Sequence, residues 1–330
     1  MTWAEYAADT LAEALNRPAR PGGVVVAVAA ISATETVIRV NPADTPAEAR
    51  FEVGSVSKAM TATVLALLVR EGVLGLEDEI GRWLSAGQHQ GIMVGQLATH
   101  TSGLPDYAPN RESWRADPGN PWAGYTFSVA EEGLRQASVT PGHPWRYSNL
   151  GYQLLGLIMQ RASGQEYPLL MADRLFAPLL MTHSGVGPRG LGTLLPGHMG
   201  SRLIRLWDQP WGAGGIEATF GDLIRFARAC AFPPDNALGA AMTLAQTPVL
   251  WVEEDTAQAL AWVVRDGGVA EHHGGTGGFS ACVTADHGRG RAVAIAVSEG
   301  GGTACAFRMK QLARLVLAQE KPRRDAERGA

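Results

Sequence analysis

The chain has 330 residues, 46% of them hydrophobic and 18% charged, with a formal net charge of −4; this is the profile of a globular protein with ample material for a core. That slight acidity excludes an electrostatic argument for nucleic acid or an anionic membrane as partner, and no apolar run is long enough to span a bilayer. The three cysteines, Cys230, Cys282 and Cys305, are odd in number and lack metal-ligand spacing, so they read as small buried apolar residues in a reducing compartment, with no metal or cofactor expected.

Trp3, Tyr6, Ala7, Leu11 and Leu15 recur at helical spacing and predict a helix over 3–17. Two strand-like runs, 23–31 and 35–41, flank a Ser-Ala-Thr turn and predict a hairpin. The first run is apolar enough to resemble the core of a secretory signal. Glu5, Asp9 and Glu13 precede it where such a signal carries positive charge, so a buried strand and a cytoplasmic location are expected. A helix over 55–71, apolar through Met60, Val64, Leu65 and Leu68, ends at Gly72, a suitable C-cap.

From 76 to about 200, short helical pieces alternate with Pro- and Gly-rich loops, and the clearest helix is 149–163. A helix is expected at 220–232, strands at 259–264, 280–285 and 291–297, and a final helix near 303–319. The charged tail 321–330 is expected to fray. Strands at both ends with helices between predict an α/β (α+β) fold: an antiparallel sheet formed from both termini and flanked by helices, with a mainly helical inserted domain. The expected division is 1–75 with 205–320 for the sheet domain and 76–204 for the insertion, with an active site in the cleft between them.

Only three lysines occur, Lys58, Lys310 and Lys321. Lysine, unlike arginine, can give up its proton once its pKa is pushed down. In Phe51-Glu-Val-Gly-Ser-Val-Ser-Lys58 it stands three residues after Ser55, so on a helix both side chains face one way, like a nucleophile beside an amine base. The helix start offers unpaired N–H groups and a positive dipole end, which favour negative charge on the serine oxygen and disfavour a protonated lysine. Ser55 as a plain helix cap and Lys58 as a solvated residue would explain this segment equally well.

Two further segments add to it. Pro141-Gly-His-Pro-Trp-Arg-Tyr-Ser-Asn149 sets Tyr147 and Asn149 in a loop just before a helix, Tyr147 as a proton relay and Asn149 as a partner for a substrate amide or for Lys58, or both as simple turn and cap residues. Glu271-His-His-Gly-Gly-Thr-Gly-Gly-Phe279 lets a strand edge lie against a ligand, and a backbone N–H there could join that of Ser55 around an oxyanion, worth roughly 10²–10³ in rate per donor. A glycine-rich hairpin is the plain alternative. A phosphate loop would carry Lys-Ser/Thr where this chain has Phe279-Ser280, and zinc at His272 and His273 is disfavoured because neighbouring strand residues point to opposite faces.

Together Ser-Val-Ser-Lys58, Tyr-Ser-Asn149 and His-His-Gly274 resemble the three motifs of the serine β-lactamase and penicillin-binding-protein superfamily, in particular the branch of class C β-lactamases, DD-peptidases and related esterases. Leu97-Ala-Thr-His-Thr-Ser-Gly-Leu-Pro105, Tyr147-Ser-Asn-Leu-Gly-Tyr152, Pro178-Leu-Leu-Met181 and Gly214-Gly-Ile-Glu-Ala-Thr219 extend the likeness over about residues 20–315.

The resemblance implies Ser55 as acylated nucleophile, Lys58 as its base and Tyr147 as a second acid/base group. It implies Asn149 as a substrate-positioning amide and the N–H groups of Ser55 and Gly275 as oxyanion donors. His272 stands where many members have the lysine of Lys-Thr-Gly, which attracts a β-lactam carboxylate; a largely neutral histidine does so weakly. Ester or amide acyl transfer is therefore expected ahead of efficient lactamase activity, in a cleft more open than in class C enzymes because the insertion is shorter.

His100 is expected to be structural, Asp106 and Tyr107 to line the cleft, with Tyr107 in contact with substrate, and His143, Trp145 and Trp211 to form an aromatic wall or core. The expected function is a serine acyl hydrolase of the esterase or amidase type acting on a small-molecule ester or amide. The rivals are an acyltransferase with an amine or alcohol acceptor, a DD-peptidase or β-lactamase, and a sensor that is acylated without turnover.

Overall fold

The computed structural model describes residues 1–16, 23–111, 122, 124–139, 145–187, 193–204, 211–300 and 302–319. Helix α1 (Trp3–Leu15) starts in a capping box: the Thr2 hydroxyl accepts from the Glu5 N–H while the Glu5 carboxylate accepts from the Thr2 N–H. Strands β1 (Val26–Ser32) and β2 (Thr36–Asn41) form the expected hairpin, and β3 (Arg50–Glu52) leads into helix α2 (Val56–Arg70). The mainly helical part follows as α3 (Val94–Ala98), α4 (Phe127–Gln136), α5 (Asn149–Ser163) and α6 (Tyr167–Met171), the last continuing into a π-helical turn over Ala172–Phe176.

Short strands β4 (Gly185–Val186), β5 (Gly197–Met199), β6 (Arg202–Ile204) and β7 (Ile216–Thr219) return the chain to helices α7 (Phe220–Ala231) and α8 (Ala237–Ala245). Strands β8 (Leu250–Glu253), β9 (Thr256–Gln258), β10 (Val263–Arg265), β11 (Val269–Gly275), β12 (Ser280–Asp286) and β13 (Arg291–Val297) then precede helix α9 (Gly302–Ala318). The main sheet has eight antiparallel strands in the order β2-β1-β13-β12-β11-β10-β9-β8. The two ends of the chain meet at β1 and β13, where Val28 pairs with Ile295.

Alternation along those two strands divides the core. Val26, Val28, Val293 and Ile295 face Trp3, Leu11, Met309 and Val316 of α1 and α9. The intervening Ala27, Ala29, Ala292, Ala294 and Ala296 face the larger core that includes α2 and α7. Alanine on that face leaves room for helices to lie close to the sheet. Helix α2 is buried on every side from Val56 to Leu68, its polar Ser57, Lys58, Thr61 and Thr63 included. The residue at its N-terminus is thereby held by an enclosed helix. Within the helical part, Arg161 of α5 grips Glu131 of α4 through two hydrogen bonds of 2.7 and 2.9 Å and also donates to the Trp83 carbonyl.

Of the expected strand at 259–264, only Val263 and Val264 are strand, as the start of β10. Ala259-Leu260-Ala261-Trp262 is a buried tight turn between β9 and β10, with Ala261 in the left-handed region at φ 66°. Two of its N–H groups are satisfied from elsewhere, Leu260 donating to the Ala245 carbonyl and Ala261 to that of Ala98, and one within the turn, Ala259 donating to the Trp262 carbonyl. An apolar turn buried against α3 and α8 has the composition of a strand without its geometry. Strand β1 starts at Val26 rather than 23, and Cys305 is half-buried where Cys230 and Cys282 are fully enclosed. No helix among the described residues is long and apolar enough to cross a membrane. The tail 321–330 and His143 lie outside the described residues.

Candidate active site

Ser55 stands at the turn between β3 and α2 with helical backbone angles, and its hydroxyl makes no capping hydrogen bond. Its Oγ is instead 2.9 Å from Lys58 Nζ and accepts from the Tyr147 hydroxyl at 2.8 Å. Lys58 is fully enclosed. Its Nζ also donates to Asn149 Oδ1 at 2.6 Å and to the Ala213 carbonyl at 2.7 Å. Burial lowers its pKa from 10.5 to about 7, against the opposing pull of the Asp106 carboxylate. Those partners decide where the lone pair of the neutral amine points. Asn149 Oδ1 and a carbonyl can only accept, so they take its two N–H bonds and leave the lone pair for the Ser55 hydroxyl.

Asp106 fixes the Asn149 amide. Its Oδ1 accepts from Asn149 Nδ2 at 2.7 Å and from the Asn149 N–H at 3.3 Å. A carboxylate cannot face Oδ1 in that way, so the amide oxygen must turn toward Lys58. The Ala213 carbonyl is held from behind: Gly212, at φ 82°, lies so near Tyr152 that a Cβ would come within 2.2 Å of that residue's carbonyl oxygen. Thr61, on the same face of α2 as Lys58, donates to Gly212 O at 2.9 Å and contacts the Tyr167 hydroxyl at 2.7 Å.

Tyr147 packs against His100 with ring centres 4.6 Å apart and planes tilted by 35°; the His100 ring nitrogen Nδ1 accepts from the Ser148 N–H and its carbonyl accepts from the Arg146 N–H. Burial and the nearby Lys58 lower the His100 pKa to about 3, so the ring is a neutral brace. Burial raises the Tyr147 pKa well above the usual phenol range, keeping its proton in place.

Strand β11 ends against the Ser55 turn with backbone touching backbone. A Cβ on Gly274 would lie 2.1 Å from the Val53 oxygen and 2.6 Å from the Ser55 nitrogen, and one on Gly54 would lie 2.7 Å from the Gly275 nitrogen. Glycine is required on both sides of this contact. It brings the N–H groups of Ser55 and Gly275 side by side, and that of Ser55 has no backbone acceptor among the described residues. The pair can hold one oxyanion. His272 is buried, with Nδ1 2.9 Å from the Ala261 carbonyl; that acceptor places the proton on Nδ1, and burial holds its pKa well below the usual imidazole range.

These groups open onto one cavity of about 610 Å³, lined by Ser55, Tyr147 and Asn149 together with Tyr107, Trp122, Trp145, His273 and Lys310. Tyr107 and Trp145 are thus on its wall, whereas Trp211 packs edge-on to Phe127 at 5.8 Å and does not line it. The Ala213 carbonyl escaped sequence reasoning, because a backbone acceptor has no side-chain signature. It adjoins the Gly214–Thr219 motif, which is the nearest signal.

A family model described as Beta-lactamase matches residues 8–318. Penicillin-binding protein 4* of Bacillus subtilis (strain 168) is 30% identical over 263 residues, 70% of this chain and 56% of that protein. Protein flp of Staphylococcus aureus (strain MRSA252) is 30% identical over 141 residues, 41% of this chain and 28% of that protein. The chain therefore aligns with little more than half of the first relative and less of the second. Among solved structures, a class C beta-lactamase superposes with a TM-score of 0.77 at 19% identity, covering 97% of this chain and 98% of that one. The octameric penicillin-binding protein homologue from Pyrococcus abyssi gives 0.72 at 20% identity, over 94% of this chain and 76% of that one. These two likenesses show a shared fold. The family match spans nearly the whole described chain, and by it the chain belongs to the β-lactamase family, within the serine β-lactamase and penicillin-binding-protein superfamily of serine hydrolases.

Proposed function

We propose that this protein is a serine acyl hydrolase of the esterase or amidase type, working through an acyl-enzyme on Ser55. The observation that carries the reading is a fully buried amine, Lys58, with its free valence aimed at Ser55 Oγ by Asn149 and Ala213. Ser55 Oγ attacks the substrate carbonyl carbon as its proton passes to Lys58 Nζ. The resulting oxyanion sits between the N–H groups of Ser55 and Gly275. Tyr147 gives its proton to the leaving group and is recharged from Lys58. Water then attacks the acyl carbon, its proton taken by the Tyr147–Lys58 pair, and Ser55 leaves as the hydroxyl. No cofactor enters these steps.

The neutral, buried His272 supports esters and amides over β-lactams as the preferred class, since it supplies no cation for a β-lactam carboxylate. The test is turnover on p-nitrophenyl esters, D-alanyl amides and β-lactams, each with and without an added amine. Hydrolysis of esters, with product partition insensitive to the amine, is expected. Transfer to the amine would assign the protein as an acyltransferase. Full turnover by a Ser55→Ala variant would overturn the mechanism.

A further inference from the structure

The cavity wall contributed by the segment after Asp106 carries a cation that no step above employs. Arg111 lies over the Tyr107 ring at 4.2 Å and over the Trp122 ring at 4.8 Å. Tyr107 and Trp122 are themselves 5.3 Å apart, and Trp122 meets Tyr125 edge-on at 5.4 Å. Tyr107 and Trp122 make a bed for the guanidinium, with Tyr125 packed against Trp122. All three of Tyr107, Arg111 and Trp122 line the cavity that holds Ser55.

An aromatic face satisfies the plane of a guanidinium but not its edge, where five N–H donors lie in a fixed fork. In Arg111 that edge is unused. Its Nε is buried without a hydrogen bond, and no carboxylate pairs with the side chain among the described residues. The other charged groups on the wall are engaged. Lys310 is 3.6 Å from Glu271. Asp106 holds the Asn149 amide through Oδ1, on the Lys58 side of the cavity, and forms no ion pair with Arg111. A half-buried cation with its donors in place and its acceptor missing is matched by a planar anion, since a carboxylate accepts two parallel N–H bonds from the fork.

We propose that Arg111 is a specificity-determining residue that receives a carboxylate on the acyl part of the substrate, so that the preferred esters or amides are those of dicarboxylic or otherwise acidic acyl groups. This rests on the acyl-hydrolase reading above and adds the substrate's charge to it. The placement on the acyl side follows from Tyr107 and Trp122, which also border the small recess beside Ser55 formed by Gly54, Ala213, Gly214 and Gly275.

The experiment compares p-nitrophenyl hemiesters of glutaric and adipic acid with their ω-methyl esters, the spontaneous rate being subtracted. The readout is the ratio of kcat/KM for acid over methyl ester. In the wild type this ratio is expected at roughly ten to a hundred, the range of a charge-assisted bidentate pair, and to fall as salt is raised. In Arg111→Met, which keeps the stem over the rings, it should fall to about one or below; in Arg111→Lys, which keeps the charge but loses the fork, it should lie between. Labelling of Ser55 by a fluorophosphonate confirms that each variant is folded. A wild-type ratio of one with methyl esters turned over, or an unchanged ratio in Arg111→Met, overturns this inference and leaves the hydrolase reading intact. Absence of any turnover together with absence of Ser55 labelling overturns both.

Discussion

A Lys58→Met variant isolates the thermodynamic cost of burying the amine. Below about pH 7, folded and unfolded wild type both carry the Lys58 proton, so the stability difference from the variant is constant. Between about 7 and the ordinary 10.5, the unfolded chain keeps a proton that the folded protein has lost. Raising the pH then favours folded wild type, by about 1.4 kcal/mol for each pH unit. Relative to Lys58→Met, wild type should therefore gain about 2 kcal/mol from about pH 7 to about pH 9, the full slope setting in only above the folded pKa. The lost hydrogen bonds to Asn149 and Ala213 shift the whole difference by an amount that does not vary with pH, so the slope belongs to the lysine alone. Urea unfolding followed by the fluorescence of the nine tryptophans measures it directly. A difference that stays flat across this range would mean that Lys58 keeps an ordinary pKa, and would refute its assignment as a neutral base.

Tyr147→Phe removes the hydroxyl on Ser55 Oγ and keeps the ring on His100, so kcat should fall about 10²–10⁴-fold while the thermal midpoint stays close to that of wild type. Asp106→Asn removes the anion that raises the Lys58 pKa and frees the Asn149 amide to rotate. The acid limb of the kcat/KM profile should move to lower pH and the plateau should drop; an unmoved limb would contradict the electrostatic assignment. Gly274→Ala forces a Cβ into the Val53 oxygen and the Ser55 nitrogen, which should cost more than about 3 kcal/mol and abolish turnover. A melt indistinguishable from wild type would show that the contact is looser than described.

The parts of the site that could be read from the chain are those whose chemistry resides in side chains at short spacing. Ser55 and Lys58 announce themselves because three residues on a helix put both on one face, and the helix is marked by its own apolar residues. What aims Lys58 was legible only in part, through the Asn149 amide. The Ala213 carbonyl is a backbone atom, and the Asp106 contact to Asn149 spans 43 residues, with nothing in either local sequence to signal it. The hairpin β1–β2 and strands β12 and β13 were readable as β-rich apolar runs bounded by turns. Strands β8 and β9 were not, being short and, in β8, partly exposed. The first four residues of the run at 259–264 misled for the opposite reason: tertiary burial made a turn apolar, and two of its hydrogen bonds go to Ala98 and Ala245 in distant helices.

In the proposed mechanism Ser55 becomes acylated with Lys58 as its base. Rapid quenching of wild type with an activated p-nitrophenyl ester, followed by intact-mass and peptide analysis, tests it most directly. One acyl group per chain is expected, on the peptide containing Ser55, formed at a rate that rises through about pH 7 and is lost in Lys58→Met. Product release without any acylated chain, an adduct on another residue, or undiminished acylation in Lys58→Met would contradict it.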